Sequence, residues 1–182
     1  MKNKGLNKIS EYFLYFFCYS VFGWCYEVFL EVVVYRWGFS NRGVLFGPYC
    51  PVYGFGMLLF LFTIYRIVKN KSMTQKLKLS PLVFLGCGLI ATIVELITSY
   101  LCEFFIGSWP WQTYVDYAIN FEGRIALSPS IRFGLGGLVL LYFVQPLLEK
   151  LNVKIGNIRV VFGISIGTIM LIDFILTILG VI

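Results

Sequence analysis

The chain has 182 residues, of which 59% are hydrophobic and only 13% are charged, and its mean hydropathy is +0.83. Soluble domains carry about 25% charged residues, so this composition excludes a soluble globular protein and indicates an integral membrane protein. The formal charge of +6 arises in a chain without histidine. We interpret this charge as a signal of membrane topology and predict no binding to nucleic acid.

Five segments are apolar enough and long enough to cross a bilayer, which takes about 20 residues. In chain order they are Glu11–Tyr35, Pro48–Val68, Pro81–Phe105, Leu127–Leu148 and Ile158–Val181. The predicted fold class is all-α, a polytopic membrane helix bundle that occupies residues 1–182 as a single domain. The first segment is about twice as long as the apolar region of a signal peptide, so we interpret it as a span.

Lysine and arginine are distributed unevenly between the loops that connect these spans. The side of the N-terminus holds eleven of them, in residues 2–8, 66–78 and 150–159, whereas the opposite side holds four, Arg36, Arg42, Arg124 and Arg132. Cytoplasmic loops carry the excess of positive charge. The pattern predicts a multi-pass protein of the cell membrane with its N-terminus in the cytoplasm and its C-terminus outside.

The first span carries two acids, Glu27 and Glu31, which helical periodicity places on one face with Trp24. Glu27 lies about sixteen residues beyond the cytoplasmic end, or roughly 24 Å along a helix, in the outer half of the membrane. Glu31 lies one turn further out, and there we expect a solvated carboxylate.

An irregular stretch, Asn41–Gly56, with the sequence N-R-G-V-L-F-G-P-Y-C-P-V-Y-G-F-G, separates the first two spans. Four glycines and two prolines in sixteen residues cannot form an unbroken helix. We therefore expect a shaped or re-entrant loop that enters the second helix near Pro51. Irregular backbone at membrane depth occurs only where protein buries it or where it lines a wet cavity, so the stretch is a candidate site.

The third and fifth spans also carry acids. The third is predicted to begin at Pro81 and has a polar stripe of Thr92, Glu95, Ser99 and Cys102 on one helical face. Glu95, and Asp173 in the fifth span, reach nearly the depth of Glu27. Two basic cytoplasmic loops are predicted, Lys69–Ser80 and Leu148–Ile158, and the fourth helix is predicted to end at Gln145-Pro146.

The region before the fourth span echoes the irregular stretch. It is aromatic between residues 107 and 126, which suits either a belt at the membrane surface or a lid over a cavity. It continues as Asn120-x-x-Gly123-Arg124, followed by Leu127, Pro129 and Phe133-Gly134-x-Gly136. The echo predicts two parallel two-helix repeats, 11–68 and 81–148, with an extra C-terminal helix at 158–181. Shared loop composition without common ancestry is the alternative.

These motifs carry a resemblance to a known family. The pattern N-R-G-x-L-x-G-P-x-C-P-x-Y-G-x-G, followed by Trp111–Tyr117 and Asn120-x-x-Gly123-Arg124-Ile125-x-Leu127, resembles the bacterial family described as putative ABC-transporter type IV, or CmpB-like permeases. The similarity extends from about Gly23 to Pro146, and Asp173 falls where that family tends to carry an acid. The resemblance implies a permease of the bacterial inner membrane. Any ATP hydrolysis would come from a separate cytosolic ATPase, because the chain has no G-x-x-x-x-G-K-[ST] phosphate loop.

A charged side chain in mid-membrane costs about 2.5–3.5 kcal/mol, so the three acids need partners. We predict that Arg42 and Arg124 reach toward Glu27 and Glu95, with Asp173 as the third acid and Arg132 as a further partner. Such a network either fixes the helices or binds a ligand. The candidate substrate-binding residues are Glu27, Asn41, Arg42, Gly43, Gly47, Pro48, Tyr53, Glu95, Asn120, Gly123, Arg124 and Asp173.

The favoured function is a membrane-embedded transport component, a permease with this polar pocket in the outer half of the membrane for a small or lipid-like solute. A membrane enzyme acting on a lipid or lipid-linked substrate and a non-catalytic accessory subunit are the alternatives. We predict no catalytic residue, cofactor or metal, because the five cysteines form no C-x-x-C pair and histidine is absent. The expected partners are the lipid bilayer, the solute and a separate ATPase, and an oligomer is left open.

Overall fold

The computed structural model describes residues 3–180, with side chains from residue 5 onward. Lys2 of the predicted charge pattern and Val181 of the predicted fifth span lie outside the described residues, as does the side chain of Lys4. Within this part of the chain the helices are α1 (Asn3–Phe29), α2 (Pro51–Val68), α3 (Met73–Ile106), α4 (Leu127–Ile155) and α5 (Ile158–Ile178). All five are long and apolar enough to cross a membrane, so the predicted all-α polytopic bundle is confirmed.

Three of the helices contain a wider π-helical turn. These turns are Leu30–Val34, which extends α1, Leu61–Tyr65 within α2, and Leu140–Val144 within α4. The remaining regular structure between residues 3 and 180 is a 3-10 turn, Gln112–Asp116, and a small antiparallel hairpin of β1 (Asn120–Phe121) and β2 (Ile125–Ala126).

Helix α3 begins eight residues earlier than predicted. Its N-cap is Ser72, whose hydroxyl accepts from the backbone N–H of Gln75 at 3.3 Å, while the Gln75 side chain accepts from the backbone N–H of Ser72 at 3.1 Å. This reciprocal capping box stabilises a helix start, and its S-x-x-Q pattern is readable in the sequence. The prediction that Lys69–Ser80 is a loop is therefore wrong, because only residues 69–72 lie outside helices.

Helix α4 also runs further than predicted, through Pro146 to Ile155. A proline in an α-helix removes the hydrogen bond to the carbonyl four residues earlier, which here belongs to Tyr142. The wider π turn Leu140–Val144 lies directly before this position, and there the N–H of Gln145 donates to the carbonyl of Leu140, five residues earlier. The helix thus continues past Pro146 through a local irregularity of its hydrogen-bond ladder. The predicted helix end at Gln145-Pro146 and most of the predicted second loop are thus wrong.

The chain divides into two compact units. The first contains the residues up to Phe55 and those from Leu151 onward, and the second is Gly56–Lys150. The division falls inside α2, whereas the predicted halves 11–68 and 81–148 keep that helix whole. The repeat stays a prediction.

Small residues bring the helices of each unit close together. In the first unit, a Cβ at Gly163 of α5 would lie 3.4 Å from Ser10 of α1, and one at Gly167 would lie 3.5 Å from Phe13. In the second unit, Gly134 of α4 lies so close to Phe84 of α3 that a Cβ would come within 2.8 Å of its backbone oxygen. Such close backbone approach is how helices associate in a membrane, where lipid removes the hydrophobic driving force.

The chain between α1 and α2 folds back along α1. The N–H of Cys50 donates to the carbonyl of Ser20 at 2.9 Å, and α2 begins at the next residue, Pro51. Ser20 precedes Val34, the end of the span, by fourteen residues, so the chain returns roughly 20 Å along the helix. The expected shaped loop and the helix entry at Pro51 are confirmed. Helix α2 accordingly has 18 residues, about 27 Å, which is slightly less than the bilayer core.

Candidate functional site

Arg42 of the re-entrant loop lies beside two carboxylates of α1. Its Nη2 is 3.9 Å from Oε2 of Glu27, and its Nη1 is 3.5 Å from Oε1 of Glu31. The two acids are one helical turn apart, so one guanidinium reaches both. The predicted Arg42–Glu27 pair is present, but both distances exceed the 2.7–2.9 Å of a charge-assisted hydrogen bond. This cluster of Arg42, Glu27 and Glu31 is called the Arg42 cluster below.

The carboxylates of the Arg42 cluster have further partners. Glu27 accepts a hydrogen bond from the hydroxyl of Tyr53, whose ring covers Gly23 so closely that no Cβ fits there. Glu31 accepts from the hydroxyl of Ser40 at 2.6 Å and from its N–H at 3.2 Å. Glu31 is buried, so the expectation of a solvated carboxylate is wrong. The loop folds back over this part of α1, and Ser40 donates the hydrogen bonds that water would otherwise give to Glu31.

Asn41 joins α1 to the turn that follows it. Its side-chain oxygen accepts from the indole N–H of Trp24 at 2.8 Å, and its amide donates to the carbonyls of Leu45 at 3.3 Å and Phe46 at 2.7 Å. Gly43 adopts a φ of 91°, which side chains other than glycine rarely adopt. Pro48, another predicted site residue, is exposed.

Asp173 of α5 is bound by the same loop. The backbone N–H of Phe46 donates to Oδ1 at 3.0 Å, that of Gly47 donates to Oδ2 at 2.9 Å, and the Tyr49 hydroxyl donates to Oδ2 through a short hydrogen bond. Burial, together with the hydrogen bond and the negative charge of Asp173, raises the pKa of Tyr49. Within residues 3–180, Asp173 therefore finds neutral donors where the sequence predicted an arginine.

The second unit holds Arg124 in a tighter setting. Its Nη2 is 2.5 Å from Oε2 of Glu103, and its Nε is 3.6 Å from Oε2 of Glu122. The guanidinium carbon lies 4.1 Å from the ring centroids of both Tyr100 and Trp109. The prediction that Arg124 pairs with Glu95 is wrong, because these two rings hold the guanidinium at the level of Glu103, two helical turns from Glu95.

Glu95 is buried in the second unit and accepts from the hydroxyl of Tyr114 at 2.8 Å. Arg132 donates to the hydroxyl of Tyr117 at 3.0 Å. The aromatic loop thus supplies hydroxyl partners to the ionisable groups of this unit, beyond the belt role expected of its rings.

Asn120 and Gly123 shape the hairpin that carries Arg124. The Asn120 side-chain oxygen accepts from the N–H of Gly123 at 3.0 Å, and its amide donates to the carbonyls of Val115 at 3.3 Å and Tyr117 at 2.8 Å. Gly123 has a φ of 64° and follows Glu122, whose φ is 53°, as a tight hairpin turn requires. The two echoed asparagines therefore act alike: each amide donates to two carbonyls of its own loop.

The two units also resemble each other in how a glycine packs against a phenylalanine. Gly54 packs against Phe16 and Gly134 packs against Phe84. Each phenylalanine lies eleven residues before the mid-helix glutamate, Glu27 or Glu95. The echo seen in the loops thus extends to helix packing.

Several functional groups were missed by reasoning from the sequence. Ser40, Tyr49 and Tyr114 bind the carboxylates of Glu31, Asp173 and Glu95. Tyr114 lies inside the aromatic stretch Trp111–Tyr117 of the family pattern, so its hydroxyl was a readable signal, whereas Tyr49 occupies an unspecified position between Pro48 and Cys50. Ser40 gives no such signal, because only the fold of the loop brings it to Glu31.

The chemistry of these clusters is that of binding and charge compensation. The Arg42 cluster sets two carboxylates against one guanidinium, so its formal charge is negative. Cys50, the one thiol inside the motif, is buried, and that burial together with Glu27 raises its pKa to about 12 against the opposing effect of Arg42. A thiol with this pKa is almost entirely protonated at neutral pH and is therefore a poor nucleophile.

Comparison with known proteins adds one positive finding. A model of the family described as putative ABC-transporter type IV matches residues 14–178, which is most of the chain. No curated protein matches the chain. No solved structure matches it either. Over these residues the motif pattern and the five apolar helices agree with the resemblance noted in the sequence, and the chain belongs to the family described as putative ABC-transporter type IV.

Proposed function

We propose that this protein is the membrane-embedded permease of a transport system and that the Arg42 cluster binds the polar group of a small or lipid-like solute. The guanidinium of Arg42 would hold an anionic or zwitterionic group, and the carboxylate of Glu27 would hold a cation or a proton. The glycine-rich loop around the cluster would give the solute close access to the backbone.

The loose geometry of the Arg42–Glu27 pair carries this proposal. The two charges are 3.9 Å apart, and their side chains keep 27% and 28% of their surface exposed. Among the residues that the structure describes, the buried Nε of Arg42 has no hydrogen-bond partner. A pair that served only to fix the helices would gain most by closing to hydrogen-bond distance. Separated, partly exposed charges suit a ligand that is to be bound and released; the unpartnered Nε is shared with Arg124 and does not set Arg42 apart.

Small molecules that co-purify with the protein test the proposal. Wild-type protein and the Arg42→Gln/Glu27→Gln double variant are purified in lipid nanodiscs, and the molecules they retain are compared by mass spectrometry. The double variant removes both charges while its two amides can still bond to each other, and Glu31 keeps the hydroxyl and N–H of Ser40 as donors. Thermal unfolding of the double variant checks that its fold is kept. We expect at least one solute or lipid to be retained by the wild type and lost from the variant.

The matched control is the Arg124→Gln/Glu103→Gln double variant, which neutralises the tight pair of the second unit. Even if less of this variant folds, the folded protein should retain the same molecules as the wild type. Identical retained molecules in the wild type and the Arg42→Gln/Glu27→Gln variant would contradict a solute site at the Arg42 cluster.

The orientation of the chain follows from charge. We propose that the N-terminus is cytoplasmic and that the loop containing Arg42 faces the outside of the bacterial inner membrane, because eleven lysines and arginines lie on one side and four on the other. In a cysteine-free background, a thiol reagent that cannot cross membranes should label a cysteine at Gln112 in intact cells and should not label one at Asn70. The reverse labelling would invert the orientation.

A separate ATPase is the partner that we propose on the cytoplasmic side. The chain has no phosphate loop, and α3 extends as a helix to Met73 with exposed Leu77 and Lys78 near its start. At 34 residues, or roughly 51 Å, α3 exceeds the bilayer core by about 20 Å. A photo-crosslinker on Leu77→Cys should capture an ATPase in cells. Capture of no ATPase, together with solute uptake that survives ATP depletion, would leave a secondary carrier.

A further inference from the structure

The loop that binds Asp173 forms a small nest of hydrogen-bond donors. The N–H groups of two successive residues, Phe46 and Gly47, point at different oxygens of one carboxylate, at 3.0 and 2.9 Å. The hydroxyl of Tyr49 donates to the second oxygen. Successive backbone N–H groups that converge in this way make an anion-binding concavity. The donors of Phe46, Gly47 and Tyr49 are called the loop nest below.

The loop nest recognises its carboxylate without a positive charge. On α5, the Thr177 hydroxyl lies 3.3 Å from Oδ1, and the other donors to Asp173 come from the loop. Gly47 is essential to this shape, because a Cβ there would lie 2.6 Å from Cζ of Tyr49 and would push the ring off the nest. Converging neutral donors of this kind suit the paired oxygens of a carboxylate or of a phosphate.

The loop nest also lies near the surface of the described protein. Asp173 is 8% exposed, but Phe46 is 72% exposed, and Pro48 beside it is exposed as well. The carboxylate of Asp173 accepts the hydrogen bonds of all three donors in the nest. An anion that arrives from outside would meet the nest once Asp173 withdraws.

We propose that the loop nest is an anion-binding site, that Asp173 occupies it as an internal ligand, and that a carboxylate or phosphate group can take the place of Asp173. Occupancy by either anion keeps the loop folded against α1. This inference does not depend on whether the Arg42 cluster binds a solute, because the two groups of residues use different donors.

Cys50 provides a native reporter of loop closure. It lies in the same loop with 3% exposure, its N–H donates to Ser20 at 2.9 Å, and its thiol lies 3.6 Å from the carbonyl of Arg42. A closed loop therefore shields Cys50 from alkylation. The charges that act on its pKa are those of Glu27 and Arg42, so a change at Asp173 reaches the thiol through exposure.

The test uses full-length protein in nanodiscs, with Cys50 as the single cysteine, and measures the rate of alkylation by iodoacetamide. Asp173→Ala should raise that rate at least tenfold. Millimolar acetate or inorganic phosphate should then slow it again in the variant, and chloride at the same ionic strength should have no effect. Rescue by acetate alone indicates a carboxylate ligand, whereas rescue by phosphate alone indicates a phosphate-bearing solute or lipid headgroup.

Cys87 supplies the matched control, because it is fully buried in the second unit. In a protein whose single cysteine is Cys87, Asp173→Ala should leave the alkylation rate unchanged, which separates loop opening from general loosening. A Cys50 rate that Asp173→Ala leaves at the wild-type value would refute the role of Asp173 as internal ligand. An accelerated rate that neither acetate nor phosphate slows, or that chloride slows equally, would refute the anion site.

Tyr49→Phe tests the loop nest independently of whether Asp173→Ala folds. This variant keeps the carboxylate and both N–H donors and removes one hydroxyl donor. The loss of one hydrogen bond to a charged group should raise the Cys50 rate about tenfold, and saturating acetate cannot restore the missing donor. A Cys50 rate equal to that of the wild type would contradict the role of Tyr49 in the nest.

Discussion

Arg42 and Arg124 belong to the two loops whose sequences echo each other, yet their surroundings differ. Each follows an acid-bearing helix, belongs to a glycine-containing loop braced by an asparagine amide, and folds back onto residues of that helix. Arg124 lies 2.5 Å from Glu103 between two aromatic rings, and its side chain is 9% exposed. Arg42 lies 3.5 Å and 3.9 Å from its acids and is 27% exposed.

The difference shows that an arginine in such a loop can be held tightly or loosely by the acids beside it. Arg124 has its charge compensated by a close ion pair, and two aromatic rings lie 4.1 Å from its guanidinium carbon, so it contributes to stability. Arg42 has compensation without close hydrogen bonds, so less of its interaction energy is committed to the fold. Aromatic contacts account for part of the difference between the two arginines, since the rings of Tyr100 and Trp109 pack against the guanidinium of Arg124.

The comparison is tested most strongly by removing each guanidinium. Arg124→Gln should destabilise the protein by about 3 kcal/mol, because it loses two cation–π contacts of about 1 kcal/mol each and a charge-assisted hydrogen bond. Arg42→Gln should cost about 1 kcal/mol, as is usual for loose, partly exposed pairs. Thermal unfolding in nanodiscs measures both, and equal losses would remove the distinction between the two arginines.

Paired glycines probe whether the two units are packed alike. Gly54→Ala and Gly134→Ala should each cost about 2 kcal/mol, because the new Cβ would lie 2.6 Å from the Phe16 carbonyl oxygen or 2.8 Å from that of Phe84, and overpacking costs about 1–3 kcal/mol.

Neighbouring glycines give the matched control for this experiment. A Cβ added at Gly56 or Gly136 would have nothing within 4 Å, so their alanine variants should gain about 0.5–1 kcal/mol from reduced backbone entropy. Thermal unfolding of all four variants compares the cost of a new Cβ in the two predicted repeat halves. A loss at only one of Gly54 and Gly134 would argue against the predicted repeat of 11–68 and 81–148.

The tyrosine hydroxyls sharpen the comparison further. Tyr114→Phe should cost about 1.5 kcal/mol, because it removes a hydrogen bond to the buried carboxylate of Glu95. Tyr53→Phe should cost about 0.5 kcal/mol, because Glu27 is partly exposed and keeps the charge of Arg42 nearby. The midpoint of thermal unfolding of each variant measures both losses. A larger loss for Tyr53→Phe than for Tyr114→Phe would mean that the Arg42 cluster is held more tightly than the surroundings of Glu95.

At each arginine, lysine substitution should have a smaller effect than glutamine substitution. Arg42→Lys keeps a point charge near Glu27 and should change stability by less than about 0.5 kcal/mol. Arg124→Lys also keeps the charge but loses the planar group between two rings, and it should cost about 1 kcal/mol. The two unfolding midpoints are compared under identical conditions. A costlier substitution at Arg42 would mean that its fork geometry, and not its charge alone, supports the fold.

The sequence by itself determined the properties that depend on local composition. Runs of about 20 apolar residues identified the five spans, because transfer into lipid is summed residue by residue. Glycine and proline in Asn41–Gly56 predicted a re-entrant loop and the helix start at Pro51, because both residues act on the backbone where they stand. The same motif identified the family.

Only the tertiary structure decided which charges meet. Depth along a helix suggested that Arg124 would face Glu95, but two aromatic rings hold it beside Glu103. The capture of Asp173 by backbone N–H groups joins positions more than 120 residues apart, so no periodicity or spacing encodes it. Backbone donors belong to nearly every residue, and only the path of the folded loop makes them converge on one carboxylate.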